Sequence, residues 1–168
     1  MRFRKLIPVC VSLLLVSCGG TSDTTTTYLQ VDTTQTITQS SGLPLGSTGP
    51  GGGIVFYDAG SVQAWGRYLE AAPEDLSGEY NWQDAMSAAS EYNGGGFNDW
   101  RLPTIDEWEF LYQEEQIVGG FSIANYWSSS EIDDEFSWYW NFTVGSSASD
   151  GWKPFSDGIY VRPVRAFD

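Results

Sequence analysis

The sequence changes character near residue 50, and this change restricts any folded core to the residues that follow. Residues 19–49 are dominated by Thr and Ser, include four consecutive threonines at 24–27, and carry few large apolar side chains. Such a segment buries too little apolar surface to offset the entropy lost when a chain is ordered. From Gly51 onward the chain is rich in aromatic residues and glycine. A single folded domain, residues 50–168, is therefore predicted.

The first 18 residues have the pattern of a bacterial lipoprotein leader. A basic start, residues 1–5, precedes an apolar run at 6–16 that is too short to span a bilayer. The run closes in Leu15-Val16-Ser17-Cys18, which resembles the lipobox and predicts cleavage after a signal peptide of residues 1–17 and lipid attachment to Cys18. The alternative is an ordinary signal peptide cut nearby. Both interpretations predict that the protein is exported.

Lipid on Cys18 would anchor the chain to the cell envelope, with residues 18–49 as a disordered tether or as a spacer whose sequence does not matter. Gly19 and Gly20 follow the cysteine with no Asp beside it. In enteric bacteria that pattern favours the outer membrane, so a surface-exposed outer-membrane lipoprotein is expected.

Removal of the leader changes the chemistry available to the protein. Five basic residues remain against 22 acidic ones, a formal charge of −17, which argues against nucleic acid as a partner. Cys10 leaves with the leader and Cys18 would carry lipid, so the domain has no free thiol and no disulfide, and packing alone must hold its core. The sequence has no histidine, the commonest general base and transition-metal ligand.

Two helices are marked by their caps. Asn81 and Asp84 predict the start of a helix that runs to the glycines at 94–96. Thr104 and Glu107 have the spacing of a capping box and predict the start of the second helix. Apolar residues at helical spacing are interpreted as core, not as a cofactor site: Trp82, Ala85, Met86, Ala89, Tyr92, Ile105, Trp108, Leu111 and Tyr112.

Short runs rich in aromatic and β-branched residues, separated by Gly, Ser and Asp, predict strands. The runs are 54–57, 67–72, 126–129, 136–144 and 158–167. Residues 145–157 are interpreted as a loop.

Three ordered motifs in the domain resemble one known family. They are NDWRLPT at 98–104 with Glu107-Trp108 and Leu111-Tyr112 after it, YWSSSE at 126–131, and YVRPVRAF at 160–167. The motifs resemble DUF1566 domains, also known from the C-terminal domain of a Legionella collagen-like adhesin. Residues 101–108 are also similar to the motif of formylglycine-generating enzymes. The resemblance implies an α+β fold of the C-type-lectin-like kind, with two helices, small twisted antiparallel sheets and long loops.

The relationship to an enzyme superfamily invites an enzymatic interpretation, but the residue inventory argues against it. Oxidases of that superfamily use cysteine thiolates at a copper site, and its sulfoxide synthases use histidines at an iron site. The mature domain has neither residue type. Glu114-Glu115 could act as a general acid and base, but adjacent helical positions do not face each other, and a solvated helix end is preferred. No catalytic activity and no cofactor are expected.

The acidic segment from Glu131 to Glu135 is a candidate for calcium, which takes several oxygen ligands from flexible loops. It has no regular ligand spacing, and a polar loop remains the alternative. C-type lectins bind sugar through calcium with a Trp-Asn-Asp tripeptide, but here Phe142 follows Trp140-Asn141. Calcium-dependent sugar binding is not supported, and no metal site is assigned.

A ligand-binding surface is predicted from residues 131–157. Strand alternation gives two rows, and the row richer in large apolar groups is expected to face the core. The core row is Trp138, Trp140, Phe142 and Val144, and the exposed row is Tyr139, Asn141 and Thr143. The predicted loop that follows mixes Ser, Gly and Asp with aromatic residues, as antibody-type binding loops do. The predicted ligand-binding residues are Tyr139, Asn141, Asp150, Trp152, Lys153 and Asp157.

For Trp152 and Phe155 two interpretations remain open: the side chains contact a ligand, or they fold back over the sheet.

Arg101, Arg162 and Arg165 lie in the family motifs and are expected to anchor loops through carboxylates and carbonyls.

The function predicted from these features is that of an adhesin-like surface lipoprotein whose domain binds a protein or glycan ligand. Related lectin-like domains also serve as variable proteins of diversity-generating retroelements, in which residues near the C-terminal end are diversified. A structural envelope component without a soluble ligand is the third interpretation.

Overall fold

The computed structural model describes residues 42–155 and 158–168. The signal peptide 1–17, Cys18 and residues up to 41 of the predicted tether lie outside the described residues, as does Asp157. None of the helices in the described part of the chain combines the length and the apolar character needed to cross a membrane.

The described residues form three α-helices and seven strands in two sheets. The helices are α1 (Trp82–Glu91), α2 (Ile105–Gln113) and α3 (Glu115–Val118). The strands are β1 (Ile54–Gln63), β2 (Gly66–Ala71), β3 (Asn125–Glu131), β4 (Phe136–Asn141), β5 (Ser146–Trp152), β6 (Ile159–Tyr160) and β7 (Val164–Phe167). One sheet has the order β1-β2-β7 and the other β5-β4-β3-β6, antiparallel except for the β3-β6 pair. The predicted α+β class is confirmed.

The folded unit begins upstream of residue 50. The Gly46 amide donates to the Val55 carbonyl at 2.7 Å, and the Val55 amide donates to the Ser47 carbonyl at 2.9 Å. These bonds attach residues 46–47 to the outer edge of β1. Residues 42–49, which the sequence analysis assigned to the tether, thus include backbone that pairs with the domain.

Both predicted helix starts are confirmed by their hydrogen bonds. The Asn81 side chain accepts from the Asp84 amide at 3.0 Å. Thr104 and Glu107 form the reciprocal capping box, with the Glu107 amide donating to Thr104 and the Thr104 amide donating to Glu107. These bonds satisfy amides that the first helical turn leaves without partners. The short helix α3, which directly follows α2, was not predicted.

The four-stranded sheet packs on both of its faces. Tyr126 and Trp140 belong to one apolar cluster, with Trp108 of α2, whereas their chain neighbours Trp127 and Tyr139 pack in a second cluster that contains residues of α1. Neighbouring residues of a strand point to opposite faces, so a layer on each side buries both rows. The prediction of one core row and one exposed row was therefore wrong for Tyr139, which is partly buried. Val144, 69% exposed, lies beyond the end of β4 and does not face the core as predicted.

The prediction of a loop over 145–157 was wrong for residues 146–152, which form strand β5. This strand pairs with β4, and the pairs include Phe136 with Trp152 and Ser137 with Gly151. Its residues are small and polar, a composition that is depleted in most strands. An edge strand tolerates it because one side of its backbone is paired and only part of its side-chain surface is buried.

Arg162 is fully buried and joins three segments of the chain. Its guanidinium donates to Asp75 at 2.8 Å and to the carbonyls of Ala72, Gly119 and Gly120 at 2.9, 3.2 and 2.6 Å. It also lies over the Phe121 ring, 4.1 Å from the ring centre. A buried cation with this complete set of acceptors avoids the desolvation penalty of an unpaired charge.

Arg165 and Arg101 also anchor loops as predicted. Arg165 donates to Glu70 at 2.8 Å and to Asp99. Glu70 is itself fully buried and accepts from the amides of Gly51 and Gly53 at 2.9 and 3.0 Å. Arg101 makes a two-point contact with Glu107 at 2.7 and 2.6 Å, but its side chain is 39% exposed.

Arg162→Ala should destabilise the domain far more than Arg101→Ala. The first change removes the donor to three carbonyls and leaves Asp75 with only the Tyr126 hydroxyl, so it should lower the free energy of unfolding by about 3–5 kcal/mol. The second breaks a half-exposed pair and should cost about 1 kcal/mol. Thermal and denaturant unfolding of both variants measure the difference. Equal destabilisation would show that burial of Arg162 is not what makes it important.

Candidate ligand-binding surface

The candidate surface lies at the end of β5 and at the turn that follows this strand, which contacts the start of α1. Gly151, the penultimate residue of β5, is buried, and a Cβ there would come within 2.6 Å of the Trp127 ring and 2.7 Å of the Ser137 carbonyl. Its flanking residues Asp150 and Trp152 are exposed. The lack of a side chain at Gly151 therefore lets β5 lie close to the core while its neighbours reach the surface.

Three aromatic side chains line a cavity of about 210 Å³ at this position, which we call the aromatic pocket. They are Tyr139, Trp152 and Phe155, and the remaining lining is Asn125, Asp150, Gly151 and Ile159. Trp152 is 52% exposed and Phe155 is 46% exposed. The interpretation that these two aromatic residues fold back over the sheet as core is therefore wrong.

A second, larger depression of about 680 Å³ shares Trp152 with the aromatic pocket, and we call it the acidic groove. It is lined by Asn81, Trp82, Gln83, Glu131, Asp134, Glu135, Trp152, Lys153 and Pro154. One half-exposed tryptophan thus belongs to both an aromatic pocket and a groove that carries carboxylates.

Lys153 links the segments that form the wall of the acidic groove. Its ammonium donates to Glu131 at 2.5 Å and to the Asp133 carbonyl at 2.6 Å, and it lies 4.5 Å from the centre of the Trp82 ring. Its backbone amide donates to the Glu135 carbonyl, and its carbonyl accepts from the Trp82 amide. The Lys153 side chain is only 12% exposed, so it is a structural link between α1 and the loop after β3.

Charge at this surface is negative because the cations are already paired. Each of the five Lys and Arg residues in the described part of the chain forms an ion pair: Arg67, Arg101, Lys153, Arg162 and Arg165. Asp134, Glu135 and Asp150 are exposed at the two cavities and, within the described ranges, form no ion pair. Burial, and then the hydrogen bond with Asp150 and the charge of that carboxylate, raise the pKa of the Tyr139 hydroxyl.

The structure brings four of the six predicted binding residues together. Tyr139, Asp150 and Trp152 line the aromatic pocket, and Lys153 lines the acidic groove beside Trp152.

The other two predicted residues are placed differently. Asn141 lines neither cavity, because its side chain accepts from the amides of Thr143 and Val144 and caps the turn after β4. Asp157 lies outside the described residues.

Several groove residues were missed as site residues by the sequence analysis. Asn81, Trp82 and Gln83 were interpreted only as a helix start, and about 70 residues separate them from Trp152. Nothing in the local pattern of that helix indicates the contact. Glu131, Asp134 and Glu135 lie in the segment 131–157 predicted to form the surface, but they were singled out only as a calcium candidate and not as ligand-binding residues.

At the calcium candidate, the acidic segment from Glu131 to Glu135, the structure shows no cluster of metal ligands. Among residues 42–155 and 158–168, no group of three or more Asp, Glu, Cys or His side chains is placed to hold a metal ion. Asp133 accepts from the amides of Glu135 and Phe136 and so caps its own turn. Glu131 is paired with Lys153.

The comparison with known proteins identifies one family. The family model described as the Lcl C-terminal domain matches residues 55–165, which include both sheets, the helices and both cavities. A search of curated proteins gave no match.

Gly151→Ala should distort the aromatic pocket and destabilise the domain. The added Cβ would meet the Trp127 ring and the Ser137 carbonyl, so strand β5 must shift, at a cost of about 1–3 kcal/mol. Ser149→Ala, at an exposed position of the same strand, is the matched control and should change stability by less than about 0.5 kcal/mol. Chemical denaturation measures both, and an unaffected Gly151→Ala would mean that β5 does not lie against Trp127.

Proposed function

We propose that this chain, which belongs to the Lcl C-terminal domain family, is an adhesin-like protein that binds a protein or glycan ligand at the cell surface. The observation that supports ligand binding most directly is the half-exposed Trp152 between two cavities. A large apolar side chain held at the surface by a rigid strand is the usual anchor of a binding interface.

The same proposal includes the C-type-lectin-like variety of the α+β fold. It is supported by the motif resemblance and by the arrangement of helices around two small sheets. In this arrangement the candidate surface lies on an edge strand and the turn after it, outside the two apolar clusters. Residues there can contact a partner without being needed for packing.

Attachment by lipid at Cys18, with surface exposure on the outer membrane, completes the proposal. Its support is the lipobox-like sequence at 15–18 and the family's cell-surface character. We further propose that the domain is not an enzyme, since residues 50–168 lack the cysteine and histidine ligands that the oxidases and sulfoxide synthases with a similar motif use.

A variable protein of a diversity-generating retroelement is the second candidate. It is favoured by the position of Asp150, Trp152 and Phe155, which are exposed and close to the C-terminal end. Substitution at exposed positions away from the core usually changes stability little, as diversification requires. An adjacent reverse transcriptase gene and an imperfect repeat of this coding region would identify such a system.

Cys18→Ser should abolish lipid attachment. The Cys18 sulfur is the atom that would carry the diacylglyceryl group, so metabolic labelling with a fatty-acid analogue should disappear and an unprocessed precursor or a soluble product should accumulate. Cys10→Ser, within the apolar part of the leader, is the matched control and should leave labelling unchanged. Undiminished labelling of the Cys18 variant would exclude this anchor.

Trp152→Ala should weaken ligand binding while leaving the fold intact. An anchor of this kind contributes about 2 kcal/mol or more, so any ligand found on a protein and glycan array should bind at least roughly tenfold more weakly. The melting temperature should barely change, because the indole is half exposed.

Two tryptophan controls make this result specific. Trp65→Ala removes an indole that is 45% exposed in the other sheet's β1-β2 turn and should leave both binding and stability unchanged. Trp108→Ala removes a fully buried indole and should cost about 3–5 kcal/mol of stability. If Trp152→Ala unfolds the domain and binding persists, the ligand site lies elsewhere.

A further inference from the structure

We infer that the aromatic pocket binds the cationic end of a lysine or arginine side chain on a partner protein, and that the acidic groove receives a second basic residue of the same segment. The inference rests on the proposed function, because it assigns a partner chemistry to the same surface.

The composition of the aromatic pocket fits a cation. Tyr139, Trp152 and Phe155 contribute aromatic rings, and Asp150 adds a carboxylate. The face of an aromatic ring carries negative charge density and attracts ammonium and guanidinium groups. A carboxylate beside the rings offers a charge-assisted hydrogen bond to the same group. An anionic group would be repelled by Asp150 and would find, among residues 42–155 and 158–168, no Lys or Arg outside an ion pair.

The domain already holds its own cations in this way. Lys153 lies over Trp82 and pairs with Glu131. Arg165 lies 3.7 Å from the centre of the Phe97 ring and pairs with carboxylates. Arg162 lies over the Phe121 ring and pairs with Asp75. The aromatic pocket contains the same two components, aromatic rings and a carboxylate, but in the described residues no Lys or Arg of this chain lies among its lining.

Charge complementarity selects a basic partner for the wider surface. The full chain has a formal charge of −14, and every cation among the described residues is paired internally. The exposed carboxylates at the acidic groove that form no ion pair within the described residues are those of Asp134 and Glu135. A field of one sign favours and accelerates the approach of partners of the opposite sign.

The arrangement of the two cavities favours a chain segment over a small free cation. Trp152 is part of the lining of both, so a ligand that fills both contacts this residue from each cavity. A protein segment with two separated basic side chains does this, with its backbone over Trp152. A single ammonium compound occupies only one cavity and gains nothing from the groove carboxylates.

Peptide binding to the full chain tests the inference. The probe is a fluorescent peptide of alternating Lys and Gly, and its control is the same peptide with every lysine acetylated, which keeps the stem and removes the charge. Anisotropy should show binding of the first and at least roughly tenfold weaker binding of the second. Raising the salt concentration from about 0.05 to about 0.5 M should weaken binding, as expected for exposed charges.

Variants locate the binding on this surface. Trp152→Ala should reduce affinity for the lysine peptide roughly tenfold, and Asp150→Asn should reduce it roughly threefold. Trp65→Ala is the control and should leave it unchanged. Equal binding of the two peptides, no binding of the lysine peptide, or no effect of Trp152→Ala would each overturn the inference.

The protein and glycan array distinguishes failure of the basic-partner inference from failure of the proposed ligand-binding function. If a glycan or an uncharged ligand binds and requires Trp152, the basic-partner inference is wrong and the binding function stands. If ligands bind but none requires Trp152, the basic-partner inference is wrong and the ligand site lies elsewhere. If the full chain binds no protein or glycan at all, the proposed function is wrong as well.

Discussion

The buried guanidinium of Arg162 is the interaction on which the closure of this domain depends. Its acceptors come from the segment after β2 and from the segment after α3, while Arg162 itself precedes the last strand. A cation that is fully removed from water is tolerated only when all its donors are satisfied. The three segments must therefore come together at once, which compensates for the lack of any disulfide in the domain.

Other cations of the domain are also bound in ion pairs, and this pairing affects the charge of the surface. Arg165 with Glu70, and Lys153 with Glu131, place further cations in internal pairs. The chain has few basic residues, so internal pairing leaves the surface with carboxylates. The chemistry that stabilises the interior thus sets the sign of the charge that a partner meets. It also explains why Lys153, predicted to contact a ligand, is instead a structural link.

The candidate surface and the core are separated by one strand. Gly151 lies against Trp127, whereas its exposed neighbours Asp150 and Trp152 line the cavities. Strand β5 is at the edge of its sheet, and its side chains contribute little to the two apolar clusters. Binding residues on such a strand are held rigidly by β4, yet can be exchanged without disturbing the packing.

The sequence by itself determined the helix caps, the α+β class, the family and the anchoring role of the three arginines. The caps at Asn81 and Thr104 followed from local sequence, because a cap needs only residues three positions apart. The class, the family and the role of the arginines followed from the motif resemblance, although the partners of Arg162 lie far away in the chain. Tertiary structure alone decided that 146–152 is a strand, that Tyr139 is partly buried, and that Asn81 lies beside Trp152. These outcomes depend on pairing and packing between distant segments, which a polar, glycine-rich stretch does not encode in its own pattern.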